Sequence, residues 1–504
     1  MPNGGVDITT ELSDAVGEGD LETIRSLLDA GADIRYVRPH GYTVMIDVMH
    51  GRSIDDDSQL LPVLRLLVER GADLNAVSDY GESALSVTSR VGRFDAVAFL
   101  LEAGANPTPL EWTPLHRAVA LGSVADIKAQ IDEGDGLSAR DRWGRTPWLL
   151  SLHTCDLAKA ELLLSAGADL RDRGRCGKTP LMYAVEKGDL VVLRWLLEGG
   201  ADPNGADEYG GTALIEAAGN GAVECVRLLL NAGADVHLRS NTDSPIQSAG
   251  NLETARALVQ AGADLADVNA EVRSEMTRNP CDGSIDCTPG EYRAAKHRAF
   301  GTTNPQSMNF PFWRAMVTGG SPAYHARAKF DEGRFGDLAV WCFDRFGKSF
   351  TELPDGRVIE IAGEHEDFYD TDFCIYNDVI VHRGDGTFDI YGYPEDVFPP
   401  TDFHTATLAG RWIYVVGNLG YQGERRFGTT QVCRLDTETL AMELVETTGE
   451  HPGWIGGHKA KLVGGRVEVV GGKVCGWSHG KERCEDNAFG YALDLGTMSW
   501  SKAT

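Results

Sequence analysis

The densest run of ligand-type side chains is Glu364-His365-Glu366-Asp367-Phe368-Tyr369-Asp370-Thr371-Asp372. Alternating acids with a histidine on a loop could coordinate a divalent cation through carboxylate oxygens and an imidazole. The spacing of a calcium loop is absent, and acid-rich loops on acidic proteins are ordinarily just solvated, so no metal ligand is assigned. Cys281 and Cys287 have five residues between them. That fits neither a zinc knuckle nor a C-x-x-C redox pair, and no second cysteine pair lies nearby. His404 and His458, in Phe-His-Thr-Ala and Gly-His-Lys-Ala, are separated by an interval that recurs elsewhere in the C-terminal part of the chain. Equivalent places in a repeat argue for a shared structural bond rather than a catalytic couple. The bulky polar loop Tyr421-Gln422-Gly423-Glu424-Arg425-Arg426-Phe427 reads as a ligand contact, with no nucleophile or base legible beside it. A G-x-S-x-G elbow, P-loop, H-E-x-x-H helix and nucleotide fingerprint are all missing. No catalytic residue and no cofactor is assigned.

The elements that would position such residues follow from bulk properties and repeats. At 504 residues the chain exceeds one hydrophobic core, so several domains are expected. Its 59 glycines suit a fold with many tight turns. With 75 acidic against 47 basic side chains, the formal charge is −28. Such a surface repels phosphate backbones and would attract a basic protein partner; nucleic acid is excluded as the expected ligand. The N-terminus MPNGGVDITTELSDAV lacks a basic region and an apolar core, and no apolar run is long enough for a bilayer. With ten scattered cysteines, the expectation is a cytoplasmic, membrane-free protein with reduced thiols.

Gly-Ala-Asp or Gly-Ala-Asn recurs at Gly31, Gly71, Gly104, Gly167, Gly200, Gly233 and Gly262, and the steps from Gly71 to Gly104, Gly167 to Gly200 and Gly200 to Gly233 are identical. Glu133-Gly134-Asp135 fills the one gap in the register, giving about eight repeats over residues 7–270. Thr113-Pro114-Leu115, Thr146-Pro147, Thr179-Pro180-Leu181, Thr212-Ala213-Leu214 and Ser244-Pro245-Ile246 open the copies. The hydroxyl caps the free N–H groups of a first helix, and proline at its first position loses no hydrogen bond. A second helix follows with apolar spacing, as in Val191, Val192, Leu193, Leu196 and Leu197. The glycine then ends that helix in a left-handed turn.

These motifs resemble the ankyrin repeat, most closely at 144–176, 177–209 and 210–242. The resemblance implies paired antiparallel helices with a hairpin finger, stacked because one repeat cannot bury its own apolar face. Three copies depart from it. An acidic insertion, Arg52 to Ser58, reads as a solvated loop or a partner contact; the fourth copy is three residues short; and the last, 242–270, lacks part of its first helix. By position, the resemblance places partner contacts on fingers at Tyr80, Arg142, Trp143, Arg175, Glu208 and Tyr209. On first helices it places them at Arg90, His116, His153, Glu186, Lys187 and Asn220. His116, in Thr-Pro-Leu-His, matches the family's structural histidine rather than a catalytic one. Each finger aromatic has a plainer alternative, packing on its neighbour.

Residues 271–337 read as a linker or ordered crossover, with short helices at 291–300 and 312–330, the latter broken at Gly319-Gly320. From 338 to 504 short apolar strands alternate with glycine turns. Gly356-Arg357-Val358-Ile359-Glu360-Ile361-Ala362-Gly363 is followed by Gly410-Arg411-Trp412-Ile413-Tyr414-Val415-Val416-Gly417. After a second, equal step comes Gly464-Gly465-Arg466-Val467-Glu468-Val469-Val470-Gly471. With Gly471-Gly472, Tyr491 and Trp500, the third unit is similar to the kelch repeat of β-propellers, the second and first less so. The fold class is thus multidomain α + β: an ankyrin solenoid followed by an all-β kelch-like domain. Three units are too few for the usual closed ring, so the open edges suggest a homodimer of half-rings. The expected function is a scaffold binding protein partners through both parts. A propeller enzyme or small-ligand sensor targeted by its repeats, and an inhibitor or immunity-type protein neutralising a basic partner, are the alternatives.

Overall fold

A computed structural model describes residues 8–55, 58–134, 136–331, 338–367, 370–478 and 480–503. The chain forms two units, Met1–Pro245 and Ile246–Thr504.

The first unit is built from helix pairs: α1 (Ile8–Glu18) with α2 (Leu21–Asp29), α3 (Val44–His50) with α4 (Leu60–Glu69), α5 (Ala84–Arg90) with α6 (Phe94–Glu102), and α7 (Pro114–Leu121) with α8 (Val124–Asp132). Next come α9 (Pro147–Ser151) with α10 (Leu157–Ser165), α11 (Pro180–Lys187) with α12 (Leu190–Glu198), and α13 (Ala213–Gly219) with α14 (Val223–Asn231). Thr113, Thr146, Thr179 and Thr212 each accept from a backbone N–H three residues on, which is why these first helices begin where they do. Val192, Leu193 and Leu196 of α12 are buried while Leu190 and Val191 are exposed, so the apolar run Leu190-Val191-Val192-Leu193 does not share one face. Gly167 takes φ of 107° to leave α10, a value L side chains avoid.

Neighbouring fingers are joined by backbone hydrogen bonds: Asp79 N–H to His40 O, Arg142 N–H to Leu110 O, Glu208 N–H to Cys176 O, and Asn241 N–H to Tyr209 O. The Arg52–Ser58 insertion corrects one expectation. It includes a tight turn, Arg52–Asp55, in which Ile54 is buried and its carbonyl accepts from Arg93 Nη1 at 2.6 Å. An apolar residue amid charges anchors it. Asp56 and Asp57 lie outside the described residues, as does Asp135 of the degenerate fourth copy.

In the second unit the copy read at 242–270 keeps one helix, α15 (Leu252–Gln260). Then come α16 (Ala270–Thr277), α17 (Pro289–Ala295), α18 (Pro311–Gly319) and α19 (Ala323–Phe330). These bury Tyr292, Phe312, Trp313 and Met316, and Trp313 stacks on Trp341 at 4.7 Å.

Three antiparallel four-stranded meanders follow. The first holds Ser349–Glu352, Val358–Ile361, Val379–His382 and Phe388–Gly392, extended by Gln306–Ser307. The second holds Thr405–Ala409, Trp412–Val416, Val432–Asp436 and Met442–Leu444. The third holds Lys459–Val463, Arg466–Val470, Tyr491–Asp494 and Ser499–Lys502, with Thr448–Gly449 beside its last strand.

The sheets stack face to face. Helices cover one side of the first sheet, where Ile380, Phe388 and Ile390 join Phe312 and Trp313. Its other side, with Ile359, Ile361 and Val381, meets Ile413, Val415 and Leu435 of the second. The second sheet's reverse side, with Tyr414, Val416 and Val432, meets Val467, Val469 and Leu493 of the third. The outward side of the third sheet carries Lys461 against Glu468 (3.3 Å) and Arg466 against Asp494 (3.4 Å). Among the described residues no strand pairing closes the sheets into a ring. Cys475 and Cys484, opposite each other on the hairpin Lys473–Ser478/Lys481–Asp486, form a disulfide where the sequence reading expects reduced thiols.

Candidate functional site

The fingers and the first helices of the array together carry a chain of charged side chains. Asp141 Oδ1 accepts the backbone N–H groups of Trp143 and Arg145, both at 2.9 Å, which closes the finger. Its Oδ2 accepts from Arg145 Nη2 at 2.7 Å, with neither side chain more than 1% exposed. Arg145 reaches back two repeats, donating to Ser89 O at 2.8 Å and Ser89 Oγ at 2.9 Å. Its Nη1 also lies 3.3 Å from His153 Nδ1.

Arginine can only donate, so His153 Nδ1 accepts and its Nε2–H faces Glu186 Oε2 at 3.0 Å. Burial, reinforced by the Arg145 charge, lowers the His153 pKa to about 4 despite that carboxylate. Lys178 Nζ sits between Glu186 (2.7 Å) and Glu216 (3.3 Å). Burial alone would raise Glu186, but the His153 hydrogen bond and the Lys178 charge hold it near 2. Glu216 goes the other way, to about 7, because burial and the Glu186 charge outweigh its share of Lys178. Tyr183 packs edge-on to His153 at 5.0 Å and beneath Lys178 at 5.1 Å. This is a clasp across repeats: acids and bases answer one another, and the two ring nitrogens of His153 face Arg145 and Glu186.

The predicted contact residues separate into two sets. Trp143 packs inward, with Arg90 and Arg142 over its ring at 5.3 and 5.7 Å and Nε1 donating to Ser86 O at 3.1 Å. Arg90 also pairs with Glu82 at 3.2 Å, and Arg142 donates to Gly81 O at 2.6 Å. His153 is buried and Glu186 belongs to the clasp. Lys187 Nζ donates to Val91 O at 3.3 Å. His116 is fully buried, its Nδ1 against Thr113 Oγ1 (3.0 Å) and its Nε2 against Arg145 O (3.0 Å), an inter-repeat bond.

The second set stays in solvent. Tyr80 is 64% and Tyr209 56% exposed; Arg175, Glu208 and Asn220 are exposed as well. Arg145, Lys178 and Glu216 were missed. The signal was the period: Arg145 and Lys178, His153 and Glu186, and Tyr183 and Glu216 are each one repeat apart.

The C-terminal candidates have internal partners. His404 Nε2 meets Ser349 Oγ, and His458 Nε2 meets Thr405 Oγ1, each at 2.9 Å. The two histidines thus tie the start of the first strand of one meander to the first strand of the meander before it. Arg425 of the polar loop donates to Leu419 O at 2.6 Å and pairs with Glu482 at 2.6 Å, while Tyr421 accepts from Ile375 N–H at 2.8 Å. Glu364 and His365 are buried on a strand that pairs with Asp370–Ile375. Phe368 and Tyr369 of that segment lie outside the described residues, as do the side chains from Glu366 to Asp372. Among the described residues no helix is long and apolar enough to cross a membrane.

Stacked helix pairs, capping threonines and linked fingers define a repeat protein of the ankyrin class. A family model of ankyrin repeats (three copies) matches residues 53–135, 115–207, 152–240 and 200–271. The chain belongs to the ankyrin-repeat family. It is 32% identical over 154 residues to the putative ankyrin repeat protein YahD of Escherichia coli, covering 29% of this chain and 73% of that protein. It is also 32% identical over 143 residues to the neurogenic locus Notch protein of Drosophila melanogaster, covering 26% of this chain but only 5% of that protein. Among solved structures, the ankyrin repeat domain of Bcl-3 is 25% identical and covers 51% of this chain and 99% of that one, at a TM-score of 0.24.

Proposed function

We propose that the chain is a protein-interaction scaffold whose fingers grip a protein partner through Tyr80, Arg175, Glu208, Tyr209 and the rim around them. The observation that carries this is the pair of tyrosines left in solvent on fingers whose backbones are bonded to their neighbours. A large ring on a rigid mount loses little conformational freedom on binding, which is what an interface anchor needs. The clasp beneath supports this face rather than joining it.

The three meanders are read as kelch-like, supported by the constant step from Gly363 to Gly417 to Gly471, each with positive φ after the second strand. Their loops offer a second protein-binding surface. A homodimer of half-rings has no support in the third sheet, whose outward side is charged.

The test is affinity capture with the full chain and with Tyr80→Ala/Tyr209→Ala. The expected result is loss of at least one specific partner at unchanged melting temperature. Identical capture by both proteins would reject this face.

A further inference from the structure

We propose that the fingers at 139–144 and 171–178 form a docking surface for a short acidic peptide segment, a conclusion that rests on the scaffold reading above. Within a chain of charge −28 these two fingers carry Arg140, Arg142, Arg171, Arg173 and Arg175. Their acids cancel one of the five, Arg140, and leave the rest. Asp141 is spent on buried Arg145, Asp172 pairs with Arg140 at 2.7 Å, and Asp169 remains at the base of its finger.

For Arg173 the mode of attachment preserves the charge, while Arg140 adds two carbonyls to its Asp172 pair. Arg140 donates to Gly144 O (2.6 Å) and Arg173 O (2.8 Å); Arg173 donates to Gly177 O (3.0 Å) and Ala206 O (2.6 Å). A neutral carbonyl fixes a guanidinium without neutralising it. Arg171 and Arg175 are exposed and make no side-chain hydrogen bond or ion pair among the described residues. The two fingertips touch, since a Cβ on Gly144 would stand 3.0 Å from Arg175 N.

The partner's chemistry follows from the width of the patch. On one side lie the finger at 108–110, followed by Glu111, and the finger of Asp79, whose Gly81 O meets Arg142; on the other lies the finger of Asp207 and Glu208. A long polyanion such as nucleic acid would run onto those acids, whereas a few adjacent carboxylates would not. Guanidinium forks match carboxylates two bonds at a time. A protein segment rich in Asp and Glu fits, which reverses the basic partner suggested by net charge.

The experiment is fluorescence anisotropy with the full chain and a fluorescein-labelled octaglutamate peptide, with octalysine and an eight-nucleotide single-stranded DNA as comparisons. The variants are Arg171→Glu/Arg175→Glu and, as a control, Arg194→Glu at an exposed position of α12. Octaglutamate should bind the wild type and the control alike, tighter than either comparison, and at least ten-fold more weakly to the double variant. Equal affinity for the double variant, a preference for octalysine, or DNA binding as tight as octaglutamate would overturn the proposal. If octaglutamate fails while Tyr80→Ala/Tyr209→Ala still abolishes capture, the acidic preference is wrong and the scaffold stands. If neither has an effect, both are wrong.

Discussion

Trp143 and Tyr80 hold the same place in their fingers, one residue before the glycine, and do opposite work. Trp143 has two arginines over its ring and is bonded to Ser86 O, whereas most of Tyr80 lies in solvent. Trp143→Ala should cost about 2–4 kcal/mol by urea denaturation, towards the lower end for truncation of a large packed ring. Tyr80→Ala should stay within about 0.5 kcal/mol. Equal losses would mean that the two rings are not divided between core and surface. At this scale the sequence could not sort inward from outward, because Ser86, whose carbonyl holds the Trp143 indole, lies 57 residues before it. Glu216 gives a second test. Its folded pKa, near 7, lies above the ordinary carboxylate range, so its contribution is complete below about 4.5 and is lost as pH rises through 7. Glu216→Gln should therefore gain about 1–2 kcal/mol relative to wild type between pH 4.5 and 8. A pH-independent difference would show that the carboxyl is ionised throughout.

Among elements, the second strand of each meander records its surroundings in its pattern. Trp412-Ile413-Tyr414-Val415-Val416 is apolar at nearly every position, and its sheet lies between two others. Arg466-Val467-Glu468-Val469 alternates, and its sheet has one wet side. Val358-Ile359-Glu360-Ile361 resembles the alternating case but is buried on both sides. Glu360 is held by Lys348 at 2.7 Å and His382 at 3.0 Å beneath the helices. Its partners lie 12 and 22 residues away, so a strand pattern could not disclose them. The paired histidines were legible because their interval equals the repeat, and they make the second unit acid-sensitive. Burial lowers His404 to about 3 and His458 to about 4, and their Nδ1 atoms have no partner among the described residues. Both folded values lie below the ordinary 6.5, so their stabilisation is complete above pH 6.5 and is lost as pH falls towards 4. Between pH 7 and 4.5 the loss should be on the order of 4 kcal/mol, and His404→Gln/His458→Gln should remove most of it in chemical denaturation. An unchanged slope would place the acid sensitivity elsewhere.

At the scale of the whole molecule, three meanders need neither a ring nor a twin to be complete. A stack of sheets has two end faces, and neither is a bare apolar one here: helices bury the first sheet's far side, and ion pairs wet the third's. Open-ended sheets associate when an end face is apolar, and a charged face prevents that. Light scattering on the eluting protein should therefore give one copy of 54.5 kDa. Replacing Lys461, Arg466 and Glu468 together by valine would leave Lys459 as the one charge of that strand pair and extend the exposed apolar strip already begun by Val463 and Val470. That variant should self-associate at micromolar concentration while the wild type does not. A wild-type dimer that the three valines leave unchanged would show that copies meet through another surface, and the charged face would lose the role assigned to it.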